Sequence, residues 1–531
     1  MANPKSRPCD EATIRAVRTT DCAGVSKPWV LAVTIMASTI SYIDESVVNI
    51  ALPTIEADLK ASAATVQWLV NAYMLSLTAL VLIGGAAGDQ LGRRRIFITG
   101  TAIFAAASLW CGLSYDIAQL ILARAIQGAG AALLIPCSLA IIGATFDESE
   151  RGKAIGTWAG FSAISAAFGP MLGGWIVDHV SWRWIFLINP LIAVPCILIA
   201  LRHVPESRDN AAAPGLDWRG AVLALAGLGS LVYGLIAAPG RGWGDASVAA
   251  SLAAGVLLLI AFVWEEARSR HPMMPLALFT SRMFAGVNLL TLLLYAGLGG
   301  AFFFLPFLLI QVHGYSATLA GASFLPFTII MAVLSRWSGG LLDRFGARLP
   351  LVLGPAITAI GFVLLALPRA GGYWTILVPM VVLGIGMAIT VAPLTTSVIN
   401  AVPERQTGVA SGINNAVASL ASLLAVAILG AVALSTYNAA LDRRLNTQPV
   451  SVNIRQAVSD AHGKFAAEFT ALRAEDRKTA EAIVRQSLGD SIRLVMGLAA
   501  ALALAGAICA ALTISSPART SAHRAAHSAN D

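Results

Sequence analysis

The sequence reads as an all-α, polytopic membrane protein with fourteen spanning helices. Three observations carry this reading. Of the 531 residues, 57% are hydrophobic and only 12% charged, against roughly a quarter charged in soluble domains. Apolar runs longer than about 18 residues recur along the chain, each enough to cross a hydrocarbon core about 30 Å thick as a helix. A short pattern also repeats at a fixed offset of 254 residues. A soluble globular fold is excluded, and a domain count from length does not apply to a bundle of spans.

Residues 1–28 are polar, carry Lys5, Arg7, Arg15, Arg18 and Lys27, and hold no short apolar core with a cleavage-like site. They read as an uncleaved cytoplasmic tail. Six spans follow in 29–201, near 29–51, 66–88, 96–114, 117–141, 153–177 and 182–201. The stretch 202–282 holds two more, near 219–238 and 247–264, with their flanking loops. A second six fill 283–514, near 283–311, 317–341, 350–367, 374–400, 409–434 and 491–514. Within that block, 435–490 is a polar outer loop, and 515–531 is a cytoplasmic C-terminal tail. In the outer loop Phe465, Phe469 and Leu472 alternate with Lys464, Glu468 and Arg473 at three-to-four spacing, which predicts amphipathic helix.

Charge orients the bundle. Loops after even-numbered spans carry fourteen Lys/Arg, among them Arg93, Arg94, Arg95, Arg151, Arg344 and Arg348, while the opposite short loops carry only Lys60, Arg183, Arg241 and Arg369. This places both termini in the cytoplasm. The net charge of +7 is therefore accounted for by topology and points to no nucleic-acid partner. Of six cysteines, Cys111, Cys137, Cys196 and Cys509 lie in apolar runs and none forms a C-x-x-C pair, so neither a disulfide framework nor a zinc site is indicated.

The repeat concerns the run GGAAGDQLGRRRIF, residues 84–97. Gly85, Asp89 and Gly92 return as Gly339, Asp343 and Gly346, and the same offset carries Trp29 onto Met283. Two six-helix halves separated by an inserted pair follow, and parallel repeats of this kind characterise secondary transporters. Asp89 can pair with Arg93, and Arg93, Arg94 and Arg344 hold their turns at the membrane surface. The run resembles the loop signature of the major facilitator superfamily. YIDESVVNIALP (42–53), VQWLVNAYML (66–75), LILARAIQGAGAA (120–132) and SWRWIFLINP (181–190) are similar to motifs of its fourteen-helix drug:proton antiporters. Gly156, Gly169, Pro170, Gly173 and Gly174 match the antiporter motif of the fifth span, with Ser165 where a glycine is usual.

Intramembrane charges are costly and usually functional. With entry near Trp29, Asp44 lies roughly 22 Å along the first helix, and Arg124 about 10 Å in from the outer end of the fourth. The two levels match, so a pair is possible; a static salt bridge or snorkelling to the outer surface is the alternative. Adjacent Glu45 points about 100° away from Asp44. Further cavity candidates are Asn49, Asn71, Tyr73, Gln127, Trp158, Phe161, Asn288, Tyr295, Phe303 and Asn414, for which lipid contact, core packing or helix-to-helix hydrogen bonds are the competing reading. Arg336 reads as a residue snorkelling to the cytoplasmic surface, with a substrate role as the alternative.

No G-x-S-x-G, H-E-x-x-H or phosphate-cradling loop is present, which argues against an enzyme or an ATP-driven pump. A channel or scaffold would not explain duplicated halves with buried carboxylates. The resemblance implies a major facilitator fold in the cytoplasmic membrane and export of small amphipathic drugs or toxic metabolites by alternating access. It assigns proton coupling to Asp44 and Arg124, with the proton gradient as energy source and no cofactor or metal. An exporter of one endogenous metabolite or lipid-like compound is the alternative, and a periplasmic adaptor partner is left open.

Overall fold

The structure is a computed structural model that describes residues 27–208, 216–269, 272–367, 373–403, 406–467, 469 and 472–514. The tails at 1–26 and 515–531 lie outside the described residues, as do the side chains of Arg336 and Asp343. Every regular element among the described residues is helical: α1 (Lys27–Asp58), α2 (Ala63–Leu91), α3 (Arg93–Leu113), α4 (Ile117–Thr145), α5 (Glu148–His179), α6 (Trp184–His203), α7 (Trp218–Arg241), α8 (Ala246–Arg268), α9 (Arg282–Phe307), α10 (Ala317–Ala322), α11 (Leu325–Phe345), α12 (Arg348–Ala366), α13 (Trp374–Asn400), α14 (Thr407–Thr447), α15 (Val452–Ser459) and α16 (Ala474–Thr513). Among the described residues thirteen spans are long and apolar enough to cross a membrane, α10 with the first part of α11 counting as one. The 32-residue α5, richer in glycine and serine, makes the fourteenth. Leu191, Leu198, Leu257, Ile260 and Leu512 stand exposed on the outside of the bundle, as lipid-facing positions should.

The duplication seen in the sequence governs packing. In the first bundle α1 packs on α5 and α6, α2 on α4, and α3 on α4 and α6; in the second α9 packs on α14 and α16, α11 on α13, and α12 on α13 and α16. Each pair in one half has its counterpart in the other. Gly92 and Gly346, the equivalent loop glycines, both take positive φ (118° and 72°), a conformation open to glycine but strained for other residues. Beside Gly92, Asp89 pairs with Arg93 at 2.8 Å, and Glu206 after α6 accepts from the Arg94 backbone N–H at 3.1 Å. The loop is thus tied to the end of its own bundle. Gly85 is loosely packed, whereas Gly84 abuts the Ala132 carbonyl and Gly88 the Cys137 thiol, so the close helix approach in this run falls on the flanking glycines.

The bundles meet through α1 with α9, α2 with α14, and α5 with α10 and α11. The contacts of α5 with α10 lie on the face opposite the start of α1 and the end of α16, called the far face below. There Gly174 lies against the Ala317 carbonyl and Gly321 against the Pro170 carbonyl. Asp178 of α5 accepts from the Ala317 and Thr318 backbone N–H groups at 3.1 and 2.7 Å, satisfying free donors at the start of α10. Of the inserted pair, α7 lies across α2 and α14, while α8 packs on α7. The outer segment 435–490 does contain amphipathic helix, α15 with Ile454 and Val458 buried. It is shorter as a loop than expected, because α14 runs on to Thr447 and α16 begins at Ala474. The pattern at 465–472 is not that helix, since the described residues between α15 and α16 are not helical. Phe465 is drawn into a buried aromatic cluster, and its backbone N–H donates to Glu56 at 2.6 Å instead of to a helical carbonyl.

Candidate functional site

A buried polar knot joins α1, α4 and α6. Asp44 Oδ2 accepts from Arg124 Nη1 at 2.5 Å, while its Oδ1 accepts from Gln127 Nε2 and Asn189 Nδ2, each at 2.8 Å. Gln127 follows Arg124 by three residues on α4, so both side chains share a face, and Gln127 Oε1 accepts from Arg124 Nη1 at 2.8 Å. Asn189 also donates to Ser108 of α3 at 2.9 Å. The guanidinium carbon of Arg124 sits 4.2 Å from the Tyr73 ring centroid, within cation–π range, and Tyr73 in turn bonds Ser41 at 3.0 Å. The side chains of Arg124 and Asp44 are 2% and 0% exposed. A pair so deeply buried persists only when the remaining lone pairs and protons also find partners, and Gln127 and Asn189 supply them.

Beside the knot, between the bundles, lies a cavity of about 440 Å³, within the range of small-molecule sites. Tyr42, Glu45, Asn49 and Tyr73 line it from the first bundle; Tyr295, Phe302, Phe303, Phe324 and Phe327 line it from the second. Glu45 and Arg124 are its charged lining residues. Arg124 is already paired with Asp44, so Glu45 is the lining acid left without a salt-bridge partner among the described residues, set in an aromatic enclosure. Among the described residues no three His, Cys, Asp or Glu side chains converge as a metal site.

The structure sorts the residues singled out in the sequence. Glu45, Asn49, Tyr73, Tyr295 and Phe303 line the cavity together with Arg124 and Pro170. Gln127 belongs to the knot. Asn71 is fully buried without lining the cavity, and neither end of its amide is bonded. Gln127 and Asn71 thus lie away from the cavity they were expected to line, and four further placements need correction. Trp158 packs on α1, its indole N–H donating to Ser38 at 3.0 Å. Phe161 is half exposed, because nine residues at about 100° each set it opposite Pro170, which faces the cavity. Asn288 and Asn414 join α9 to α14, with Asn414 donating to Asn288 Oδ1 at 3.1 Å and to Thr291 at 2.8 Å. Gly169 and Gly173 press α5 onto Ser46 and Val47 of α1, whereas Gly174 faces the other bundle. Asn189 was not singled out, although an amide within the otherwise apolar run IFLINPLIAV was a visible signal.

Similar proteins carry related names. The chain is 36% identical over 413 residues to the tetracenomycin C resistance and export protein of Streptomyces glaucescens, covering 77% of this chain and 76% of that protein. It is 36% identical over 412 residues to the puromycin resistance protein of Streptomyces alboniger (76% and 81%), and 32% identical over 416 residues to the methylenomycin A resistance protein of Bacillus subtilis (78% and 88%). Among solved structures, an inward-facing, unoccupied bacterial homologue of the human lysosomal transporter Spinster shares the fold with a TM-score of 0.66 at 17% identity, covering 93% of this chain and 99% of that one. The inward-open xylose transporter of E. coli aligns with a TM-score of 0.58 at 12% identity (93% and 98%). With the Major Facilitator Superfamily profile matching residues 34–426, on a duplicated fourteen-span fold, the chain belongs to the major facilitator superfamily.

Proposed function

We propose that the protein is a proton-coupled antiporter that exports amphipathic, preferentially cationic drugs or toxic metabolites across the cytoplasmic membrane, with both termini in the cytoplasm. The observation that carries this is the adjacency of two carboxyls with different surroundings: Asp44 sealed against Arg124, Gln127 and Asn189, and Glu45 at the wall of an aromatic cavity. The names of the relatives support drug export.

The coupling follows from charge. Arg124 lines the cavity and lies within electrostatic reach of Glu45. With Asp44 ionised, Arg124 stays on Asp44, and Glu45 is free to hold a cation against the aromatic rings. A proton taken up by Asp44 neutralises it and releases Arg124 toward Glu45. The arginine then competes with the bound cation, so proton binding and substrate binding oppose each other. Alternating exposure of the cavity to the two membrane faces converts that opposition into exchange. No cofactor is required, because the proton gradient supplies the energy.

The test is transport of a lipophilic quaternary ammonium dye by purified protein in liposomes under an imposed pH gradient. Uphill accumulation that stops when a protonophore collapses the gradient is the expected result. Downhill equilibration insensitive to the protonophore would show a channel, and transport of a single metabolite but of no dye would favour the dedicated exporter.

A further inference from the structure

The segment between α15 and α16 crosses from one bundle to the other on the far face. Its base rides on the second bundle: α15 packs on α14 and α16, Arg455 donates to the Leu445 carbonyl at 2.9 Å, and His462 meets Asp442 at 3.0 Å. The Gly463 N–H donates to Asn438 of α14 at 3.2 Å. The chain then turns at Gly463, where φ is 77°, and reaches the first bundle. The Gly463 carbonyl accepts from the Ala63 N–H at 2.8 Å. One oxygen of Glu56, near the far end of α1, accepts from the backbone N–H groups of Phe465 and Ala466 at 2.6 and 3.1 Å. Glu56 is 1% exposed, and so is Phe465.

The Phe465 ring packs 5.6, 5.5 and 5.9 Å from the centroids of Phe304, Phe307 and Tyr437. Phe303, which lines the cavity, lies 4.9 Å from Phe304 and 6.0 Å from Phe307. An aromatic column therefore runs from the cavity wall to the crossing segment, all of it except the segment itself on the second bundle.

We propose that residues 463–466 form a latch over the far-face mouth of the cavity and that Glu56 is its catch. Opening the far face separates α1 and α2 from α9 and α14. The base of the segment and the aromatic column move with the second bundle, so the bonds of this segment that must break are those to Glu56 and Ala63, besides the Asp178 bonds to the start of α10. The Ala63 bond is wholly backbone. Glu56 is thus the side chain through which the latch is held, and its role is positional: it sets how readily the mouth opens and makes no contact with cargo.

A thiol reporter at Asn49→Cys in the full-length protein, probed with a membrane-impermeant maleimide on intact cells and on inside-out vesicles, reads mouth opening without any substrate. Glu56→Leu should raise far-side labelling on the order of tenfold, the change produced when one or two hydrogen bonds to a buried carboxyl group are lost. Glu56→Gln, which keeps a carbonyl acceptor, should restore labelling most of the way to the parent rate. A disulfide between Glu56→Cys and Ala466→Cys should abolish far-side labelling and transport together, and reduction should return both. Equal labelling in Glu56→Leu and parent, or undiminished transport by the oxidised double-cysteine protein, would overturn the latch. Should Glu56→Leu fail to fold, the reversible cross-link alone decides. An inverted membrane orientation would appear separately, as labelling exchanged between cells and vesicles, and a wrong cargo assignment would leave the labelling result untouched.

Discussion

Asn189 donates to the same Asp44 oxygen that Gln127 reaches, each at 2.8 Å, so the carboxyl is gripped from α6 and α4 at once. Hydrogen bonds to charged groups contribute about 1.5–3 kcal/mol. Asn189→Leu should therefore lower the stability of the purified protein by an amount in that range, read as the midpoint of thermal unfolding in detergent. Asn189→Asp tests the electrostatics of the same point. Two carboxylates sharing one site cannot both ionise freely, so this variant should be markedly less stable at about pH 8 than at about pH 5. A parent-like pH profile for Asn189→Asp would mean the two groups do not face each other.

The Asp44–Arg124 pair lends itself to a double-mutant cycle. Removing one partner of a buried pair leaves an uncompensated charge and costs about 3–5 kcal/mol, whereas replacing both by neutral groups is often close to neutral. Asp44→Asn and Arg124→Gln should each reduce thermal stability, and the double variant should recover most of the loss. Gradient-driven export should be absent from all three. Recovery of export alongside stability in the double variant would make the pair a structural salt bridge with no part in coupling.

Glu45 is the acidic side chain of the cavity lining that has no salt-bridge partner among the described residues, and the consequence under the proposed function is one of selectivity. Glu45→Gln should lower the export of a monovalent lipophilic cation relative to a neutral compound of similar size, by about tenfold, equivalent to about 1.4 kcal/mol. Export of the neutral compound should stay near the parent level. Paired efflux assays in an efflux-deficient host measure the ratio directly, and an unchanged ratio would remove Glu45 from substrate recognition.

Asn414 makes the opposite test, of a residue that joins helices. Its bonds to Asn288 and Thr291 lie within the second bundle, and such interhelical bonds in membranes contribute about 0.6–1.7 kcal/mol. Asn414→Ala should reduce stability modestly and leave the ratio of cationic to neutral export alone. A changed ratio would bring this amide back to the cavity.

What the sequence disclosed follows from which physical signals are local. The spans are legible because a hydrocarbon core demands about twenty apolar residues in a row, and the duplicated halves because Gly92 and Gly346 repeat a backbone requirement at a fixed offset. Depth along a helix is also local arithmetic, which is how Asp44 and Arg124 come out at one level. Azimuth is not. Phe161 and Trp158 have the composition of a binding site, but which face of α5 meets the cavity is decided by its packing on α1 and α10. Asn189 meets Asp44 across 145 residues of sequence, and no spacing rule connects them. The Glu56 catch is remoter still, since its partners are backbone N–H groups 409 and 410 residues away, and backbone donors leave no trace in side-chain identity.

Two glycines of the fifth span separate closing from mere sequence pattern. A Cβ on Gly174 would collide with the Ala317 carbonyl, a backbone atom of the opposite bundle. That carbonyl cannot retreat easily, because Asp178 holds the N–H groups of Ala317 and Thr318 at the start of α10. Gly174→Ala should therefore prop the far face open while leaving each bundle intact. Far-side labelling of the Asn49→Cys reporter should rise, and export should fall about tenfold or more, with thermal stability little changed because no contact within a bundle is lost. Gly156 belongs to the same motif in the sequence, but a Cβ there meets nothing within 4 Å. Alanine is favoured over glycine inside a helix by about 0.5–1 kcal/mol, so Gly156→Ala should be neutral or slightly stabilising, with parent-like labelling and export. If the two substitutions behave alike, the collision at Ala317 is not what closes the far face.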